Sequence, residues 1–156
     1  MISYFTDGSA SPNPGPGGFA VIKDGVPYLI GSESSGSEVA RIRTTNIRME
    51  GLAIWAALTD ADGEECEITT DSEFWINVLT KWAPTWKTNG WHKKGGIKNL
   101  DIVQPLFEAF QNSRASLIWT RGHIGTELNE LADEWANEAR KQKITGTKRV
   151  IELADM

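Results

Sequence analysis

Cysteine is nearly absent from this chain: Cys66 stands alone, which excludes an intrachain disulfide and a cysteine-rich zinc site. In Cys-Glu-Ile-Thr-Thr it reads as a buried strand residue, in keeping with a reducing cytoplasm. The N-terminal MISYFTDGSA has no basic stretch followed by an apolar one, so no signal peptide is expected. No apolar run approaches the ~20 residues of a membrane span, and a soluble protein is expected. Positive charge is also scarce. Sixteen Lys and Arg against 21 Asp and Glu leave a net charge of −5, the wrong sign for a typical nucleic-acid binder. Hydrophobic residues, by contrast, make up 40% of the chain, enough for a proper core and too many for a disordered one. At 156 residues the chain predicts one domain over residues 1–142, with residues 143–156 as a loose tail.

The distribution of charge qualifies its total. Between Phe74 and Leu100 there is no Asp or Glu, yet Lys81, Lys87, Lys93, Lys94 and Lys98 all fall there. Such a segment can dock a phosphate backbone locally, although a chance run of solvated lysines is equally open at this point.

The first third reads as strands. Ile2–Asp7 is followed by a Pro- and Gly-rich loop, and Phe19–Lys23 and Val26–Ser32 flank Asp24-Gly25, a strong hairpin signal. Glu33–Arg43 reads as a polar, exposed connection. A helix is predicted from Thr45 to Ala61, with Thr44, Thr45 or Asn46 available as its cap. Cys66–Thr70 follows as a strand, Ser72–Lys81 and Asp101–Asn112 as helices, Leu117–Thr120 as a strand and Glu127–Gln142 as a helix. A hairpin followed by strand–helix alternation implies an α/β fold, a mixed sheet with helices packed on it. Asp7 and Asp71 each stand at the end of a predicted strand; if those strands are parallel neighbours, the carboxylates meet at one edge.

Four acidic residues sit in distinctive surroundings: Asp7 in Phe-Thr-Asp-Gly-Ser, Glu50 in Thr-Thr-Asn-Ile-Arg-Met-Glu, Asp71 in Ile-Thr-Thr-Asp-Ser and Asp133 in Asn-Glu-Leu-Ala-Asp. Hard oxygen ligands without Cys or His spacing select Mg²⁺ or Mn²⁺ over zinc. Clustered carboxylates repel unless cations neutralise them. A two-metal site can activate water and stabilise the leaving oxygen of a phosphodiester. Taken singly, each residue has a plainer reading: Asp7 as a turn start, Asp71 as a helix cap, Glu50 as a favourable first-turn acid, Asp133 as part of a solvated flank.

Their joint order is more telling. Thr-Asp-Gly-Ser, Asn-Pro-Gly-Pro-Gly-Gly, Thr-Thr-Asn-x-Arg-Met-Glu, Thr-Asp-Ser and Gly-His-x-Gly-x-x-x-Asn-Glu-x-x-Asp follow one another from Ile2 to Arg140. This set resembles the type 1 ribonuclease H family. The resemblance implies a five-stranded mixed β-sheet flanked by α-helices. It also implies metal-dependent endonucleolytic cleavage of the RNA strand of RNA–DNA hybrids, leaving 3′-hydroxyl and 5′-phosphate ends. By the same resemblance Asp7, Glu50, Asp71 and Asp133 hold two Mg²⁺ ions, with Mn²⁺ able to substitute. Asp7 then bridges both ions, Glu50 and Asp71 favour the first and Asp133 the second. His123 matches a loop histidine that assists proton movement or product release, for which a side chain titrating near neutrality is suited.

The resemblance extends to substrate contacts. Trp82, Trp86 and Trp91, interleaved with Lys87, Lys93 and Lys94, match a basic protrusion that meets the DNA strand, although core aromatics remain an alternative. Arg43, Thr45 and Asn99 match a DNA-phosphate pocket, and Asn13 and Asn46 match minor-groove contacts, where 2′-hydroxyls distinguish RNA. His92 reads as a surface residue or phosphate contact. The chain departs from the family at Ile47, where a second asparagine is common, at Glu73, where glutamine is common, and in a shorter Trp91–Asn99 loop. A cytoplasmic monomer with the hybrid as partner is expected. Rival readings are an integrase- or resolvase-like nuclease of the same fold, a non-catalytic hybrid-binding module, and a domain that merely holds a metal.

Overall fold

β1 (Ile2–Ala10), β2 (Gly17–Lys23) and β3 (Val26–Gly31) form an antiparallel meander. The computed structural model describes residues 1–33, 43–121 and 127–155. Asp24 and Gly25 both take positive φ, 49° and 84°, which gives the two-residue turn whose twist matches its strands. Next come α1 (Asn46–Ala61), β4 (Glu65–Thr70), α2 (Glu73–Asn77), a π turn over Val78–Trp82 and α3 (Ala83–Thr88). α4 (Leu100–Gln111), β5 (Arg114–Trp119), α5 (Glu127–Lys141) and β6 (Thr147–Arg149) complete the order, with a closing 3₁₀ turn over Val150–Asp155.

The sheet runs β5-β4-β1-β2-β3-β6, with β1–β4 and β4–β5 parallel and the other pairs antiparallel. This is the expected mixed sheet with one strand more. The sixth comes from the segment read as a loose tail: β6 pairs with β3, and Ile144 is buried beside Ala20, Ile30, Ala136 and Ala139. Period-2 alternation assigns the faces. Tyr4, Val21 and Ile68 face α1, α2 and α4, whereas Ala20 and Ile30 face α5. β2 is buried on both sides, which is why its sequence, Gly-Gly-Phe-Ala-Val-Ile, does not alternate.

Local chemistry explains most boundaries. Thr45 caps α1, its hydroxyl accepting from the Arg48 amide at 3.2 Å, and Ser72 caps α2 by accepting from the Trp75 amide at 3.2 Å. The helix expected over Ser72–Lys81 is broken into α2, the π turn and α3, where Pro84 occupies the first turn. Glu33, expected in an exposed connection, is 6% exposed. Thr44 and Arg48 surround it: the Thr44 hydroxyl donates to Glu33 Oε1 at 2.8 Å and Arg48 Nε donates at 2.7 Å. The described helices include none long and apolar enough to cross a membrane.

Candidate active site

β1 continues to Ala10 because β2 pairs with it, so Asp7 lies inside the strand, opposite Ala20. On its other side the parallel ladder with β4 ends at Phe5↔Thr69. Asp7 and Asp71 each stand two residues past that last pair, at the carboxyl edge where open α/β sheets bind ligands. Together with Thr6 and Asn129 they line a cavity of about 10 Å³, the room for roughly one water-sized particle.

Two glycines let helices close on this edge from opposite faces. A Cβ on Gly8 would come within 2.4 Å of the Met49 carbonyl carbon and 2.5 Å of the Glu50 nitrogen, so α1 lies directly on β1. A Cβ on Gly18 would meet the Ala136 carbonyl oxygen at 2.4 Å, so α5 lies equally close to β2. The first contact delivers Glu50 beside Asp7; the second brings α5, with Asp133 one turn before Ala136.

Burial, then the Asp71, Asp133 and Glu50 carboxylates, push the Asp7 carboxyl up to about 8, although the Gly8 N–H donates to it at 2.9 Å. Burial and Asp71 push Glu50 up to about 7, opposed by a hydrogen bond with Ser72. Among the described residues, no lysine or arginine stands among the leading influences on either group. Among the described residues, no three Asp, Glu, His or Cys side chains already converge closely enough to clamp a metal ion. What the edge holds is a set of oxygen donors, two of which, Asp7 and Glu50, are pushed upward by burial and by neighbouring carboxylates. That donor set fits a hard divalent cation.

The predicted substrate residues fall in two groups. Asn13 Oδ1 accepts from the Asn46 amide at 3.1 Å, and Asn46 Oδ1 accepts from the Ala10 amide at 2.7 Å, which ties the loop after β1 to the start of α1. Arg43 is exposed beside Thr45, and Asn99, with φ of 59°, precedes α4. In the second group Trp82 is 42% exposed and Trp86 half-buried. These two rings line a groove of about 280 Å³ with Phe74, Lys93, Ile97 and Lys98. Lys93 Nζ lies 5.8 Å over the Trp86 ring, while Lys94 is exposed. Trp91 turns inward against Phe107, ring centroids 6.0 Å apart, so this ring is partly a core aromatic. Lys87 is exposed and lies along α4, donating to Gln111 Oε1 at 2.8 Å, with Glu108 Oε1 at 3.5 Å. His123 lies outside the described residues. Ile47 offers its carbonyl to the Trp75 indole at 2.7 Å, and the residue is 36% exposed.

Three residues at the site went unassigned in the sequence. Ser72 bonds Glu50, and Asn129 lines the Asp7–Asp71 cavity one helical turn before Asp133. Trp119 is 46% exposed, and its indole donates to the Asp71 carbonyl at 3.3 Å. Ser72 and Asn129 stand inside quoted motifs, adjacent to or four residues from an acid, and that spacing was the available signal.

Comparison with known proteins places these features in context. Residues 1–141 match the family profile "RNase H". The chain is 40% identical over 154 residues to the ribonuclease H of a Jannaschia species, covering 95% of this chain and 96% of that one. It is 34% identical over 159 residues to the ribonuclease H of Treponema pallidum subsp. pallidum, covering 94% of each. Among solved structures it resembles LC9-RNase H1, described as a type 1 RNase H with the type 2 active-site motif. That likeness has a TM-score of 0.72 and 25% identity over 99% of this chain and 81% of that one. A foamy viral protease-reverse transcriptase in complex with RNA/DNA hybrid matches 90% of this chain and 20% of its own length, with a TM-score of 0.68. At 17% identity that likeness speaks of fold alone.

Proposed function

Since the chain belongs to the RNase H family, hydrolases that cut the RNA strand of RNA–DNA hybrids, we propose that Asp7, Glu50, Asp71 and Asp133 hold its metal ions and form its catalytic centre. The observation carrying this reading is the meeting of Asp7 and Asp71 past the end of the β1–β4 ladder, in one cavity, with Glu50 and Asp133 near enough to act on Asp7.

The family depends on divalent metal, and the all-oxygen donor set points to Mg²⁺, with Mn²⁺ as a substitute. Two bound ions supply activation of the attacking water and charge neutralisation at the leaving oxygen. Asp7, acted on by all three other carboxylates, would help to hold both ions, with Glu50 and Asp71 holding one and Asp133 the other. Ser72 orients Glu50 through its hydroxyl. Water oxygen bonds to phosphorus as the bond from phosphorus to the RNA 3′-oxygen breaks, leaving 3′-hydroxyl and 5′-phosphate ends. His123 assists proton movement or product release.

Around this centre Asn13 and Asn46 contact the minor groove, and Arg43, Thr45 and Asn99 contact a DNA phosphate. Trp82, Trp86, Trp91, Lys87, Lys93 and Lys94 belong to the protrusion that meets the DNA strand. A cytoplasmic monomer is the setting this reading implies.

The test compares cleavage of a labelled RNA–DNA hybrid, double-stranded RNA and double-stranded DNA, with Mg²⁺, Mn²⁺ or EDTA and with Asp71→Asn alongside. Metal-dependent cutting of the hybrid's RNA strand alone, lost in the variant, is expected. A folded protein that binds the hybrid and never cuts it would instead be a binding module.

A further inference from the structure

Arg48 stands between the two side chains assigned above to a DNA phosphate. Its backbone amide donates to Thr45 Oγ1 at 3.2 Å, and its guanidinium Nη1 donates to Asn99 Oδ1 at 3.3 Å. Each bond engages one lone pair of the oxygen and so orients the side chain. The Thr45 hydroxyl proton and both hydrogens of the Asn99 amide are left without partners among the described residues. A hydroxyl or a side-chain amide is otherwise ambivalent, able to turn either a lone pair or a hydrogen toward a ligand. A phosphate oxygen accepts only, so it requires hydrogens from both.

The guanidinium is itself held on two sides. Nη1 and Nη2 donate to the two Asp101 oxygens at 3.0 and 2.7 Å, and Nε donates to Glu33 Oε1 at 2.7 Å. Glu33 is buried, and the Thr44 hydroxyl donates to the same oxygen. These partners fix the guanidinium plane between the start of α1, the end of β3 and the start of α4. A flexible ammonium could serve only some of them. Arg48 also leaves little of its positive charge for the ligand, because two carboxylates already take it up.

We propose that Arg48 is a positioning residue for DNA-phosphate binding: its N–H groups hold Thr45 Oγ1 and Asn99 Oδ1 and so orient the hydrogens of both side chains toward the phosphate. This rests on reading Thr45 and Asn99 as phosphate contacts. The sequence marked Arg48 only as a letter in a motif. Its function lies in joining Asn99, 51 residues away, to the cap of its own helix.

The test measures binding of a fluorescent RNA–DNA hybrid in EDTA, where nothing is cut, together with KM and kcat in Mg²⁺. R48K keeps the charge beside Glu33 but loses the fork that reaches Asn99. It should weaken hybrid binding and raise KM about fivefold, the equivalent of roughly one hydrogen bond, with kcat within about twofold. In an Asn99→Ala background the same change should add nothing. Asp101→Asn, which loosens the guanidinium without touching Asn99, should lower the melting temperature with a smaller rise in KM. Should R48K not fold, E33Q/R48M removes the buried charge together with its partner and reads the same comparison. An unchanged KM in R48K, or an equal loss with and without Asn99, overturns the proposal. If Asn99→Ala and Thr45→Ala themselves leave hybrid binding unchanged, the phosphate-pocket reading falls and the proposal falls with it.

Discussion

Gly8 lies against the backbone of Glu50: a Cβ built on the glycine would come within 2.5 Å of the Glu50 nitrogen, closer than real Cβ atoms approach. The atoms it would strike are main chain, so no rotamer change relieves the clash; α1 must move away from β1. Gly8→Ala should therefore cost about 1–3 kcal/mol of stability, as overpacking does. It should also lower kcat steeply even where the protein remains folded, because Glu50 retreats from Asp7. Thermal melts and hybrid cleavage well below the melting temperature check both halves. A stable variant with full kcat would show that Glu50 need not sit so close.

Metal removal should couple to pH. Asp7 and Glu50 are held at about 8 and about 7, chiefly by burial and then by neighbouring carboxylates, against roughly 4 in an unfolded chain. An acid with a raised folded pKa stabilises fully below its unfolded pKa, and that contribution is lost as pH climbs through the folded value. Metal-free protein should thus be more stable near pH 5.5 than near pH 8.5, and Mg²⁺ should recover most of the difference. Asp7→Asn should be about 1–3 kcal/mol more stable than the parent in EDTA near pH 8.5, gain little from Mg²⁺, and not cut. A metal-free melting temperature that is flat across this window would count against an uncompensated carboxylate cluster.

Salt dependence should separate the lysines. With a net charge of −5, attraction to the hybrid depends on the local basic segment. Affinity should be modest and fall steeply with salt. Lys94 and Lys98 are exposed and pair with no acid among the described residues, whereas Lys87 is engaged by Gln111 and Glu108. Replacing either Lys94 or Lys98 by Ala should reduce the slope of log K against log salt by about one, and Lys87→Ala by less. Equal slopes for all three variants would remove the distinction.

The site was more legible in the sequence than its surroundings. Asp7, Glu50, Asp71 and Asp133 sit in short motifs, and bringing Asp7 to Asp71 required only that β1 and β4 be parallel neighbours, which their strand–helix spacing suggests. Glu33 illustrates the opposite case. It stands in a polar, serine-rich stretch and reads as exposed, yet Arg48, 15 residues on, draws it inside. Trp91 likewise turns inward because α4 packs beneath it, a tertiary fact that no local pattern records. The ordering of the last residues has the same origin, because a three-residue strand has too little pattern to be read without its partner.

Removing residues 143–156 tests that last point. β6 pairs with Leu29, Ile30 and Gly31, the Ser32 amide donates to the Gly146 carbonyl at 3.0 Å, and Ile144 is 5% exposed against α5 and the sheet. Losing the buried isoleucine alone costs about 1.5–3 kcal/mol, and the truncation also bares the β3 edge to water or to another chain. A chain ending at Gln142 should thus melt roughly 5–10 °C lower, at the ~2–4 °C per kcal/mol usual for this size. Asp7 and Asp71 lie on β1 and after β4, with β2 and β3 between them and the lost strand. Cleavage per folded molecule should therefore be retained at low temperature. An unchanged melting temperature would mean that β6 contributes nothing to the fold, and a lost kcat at an unchanged melting temperature would tie the segment to the site instead.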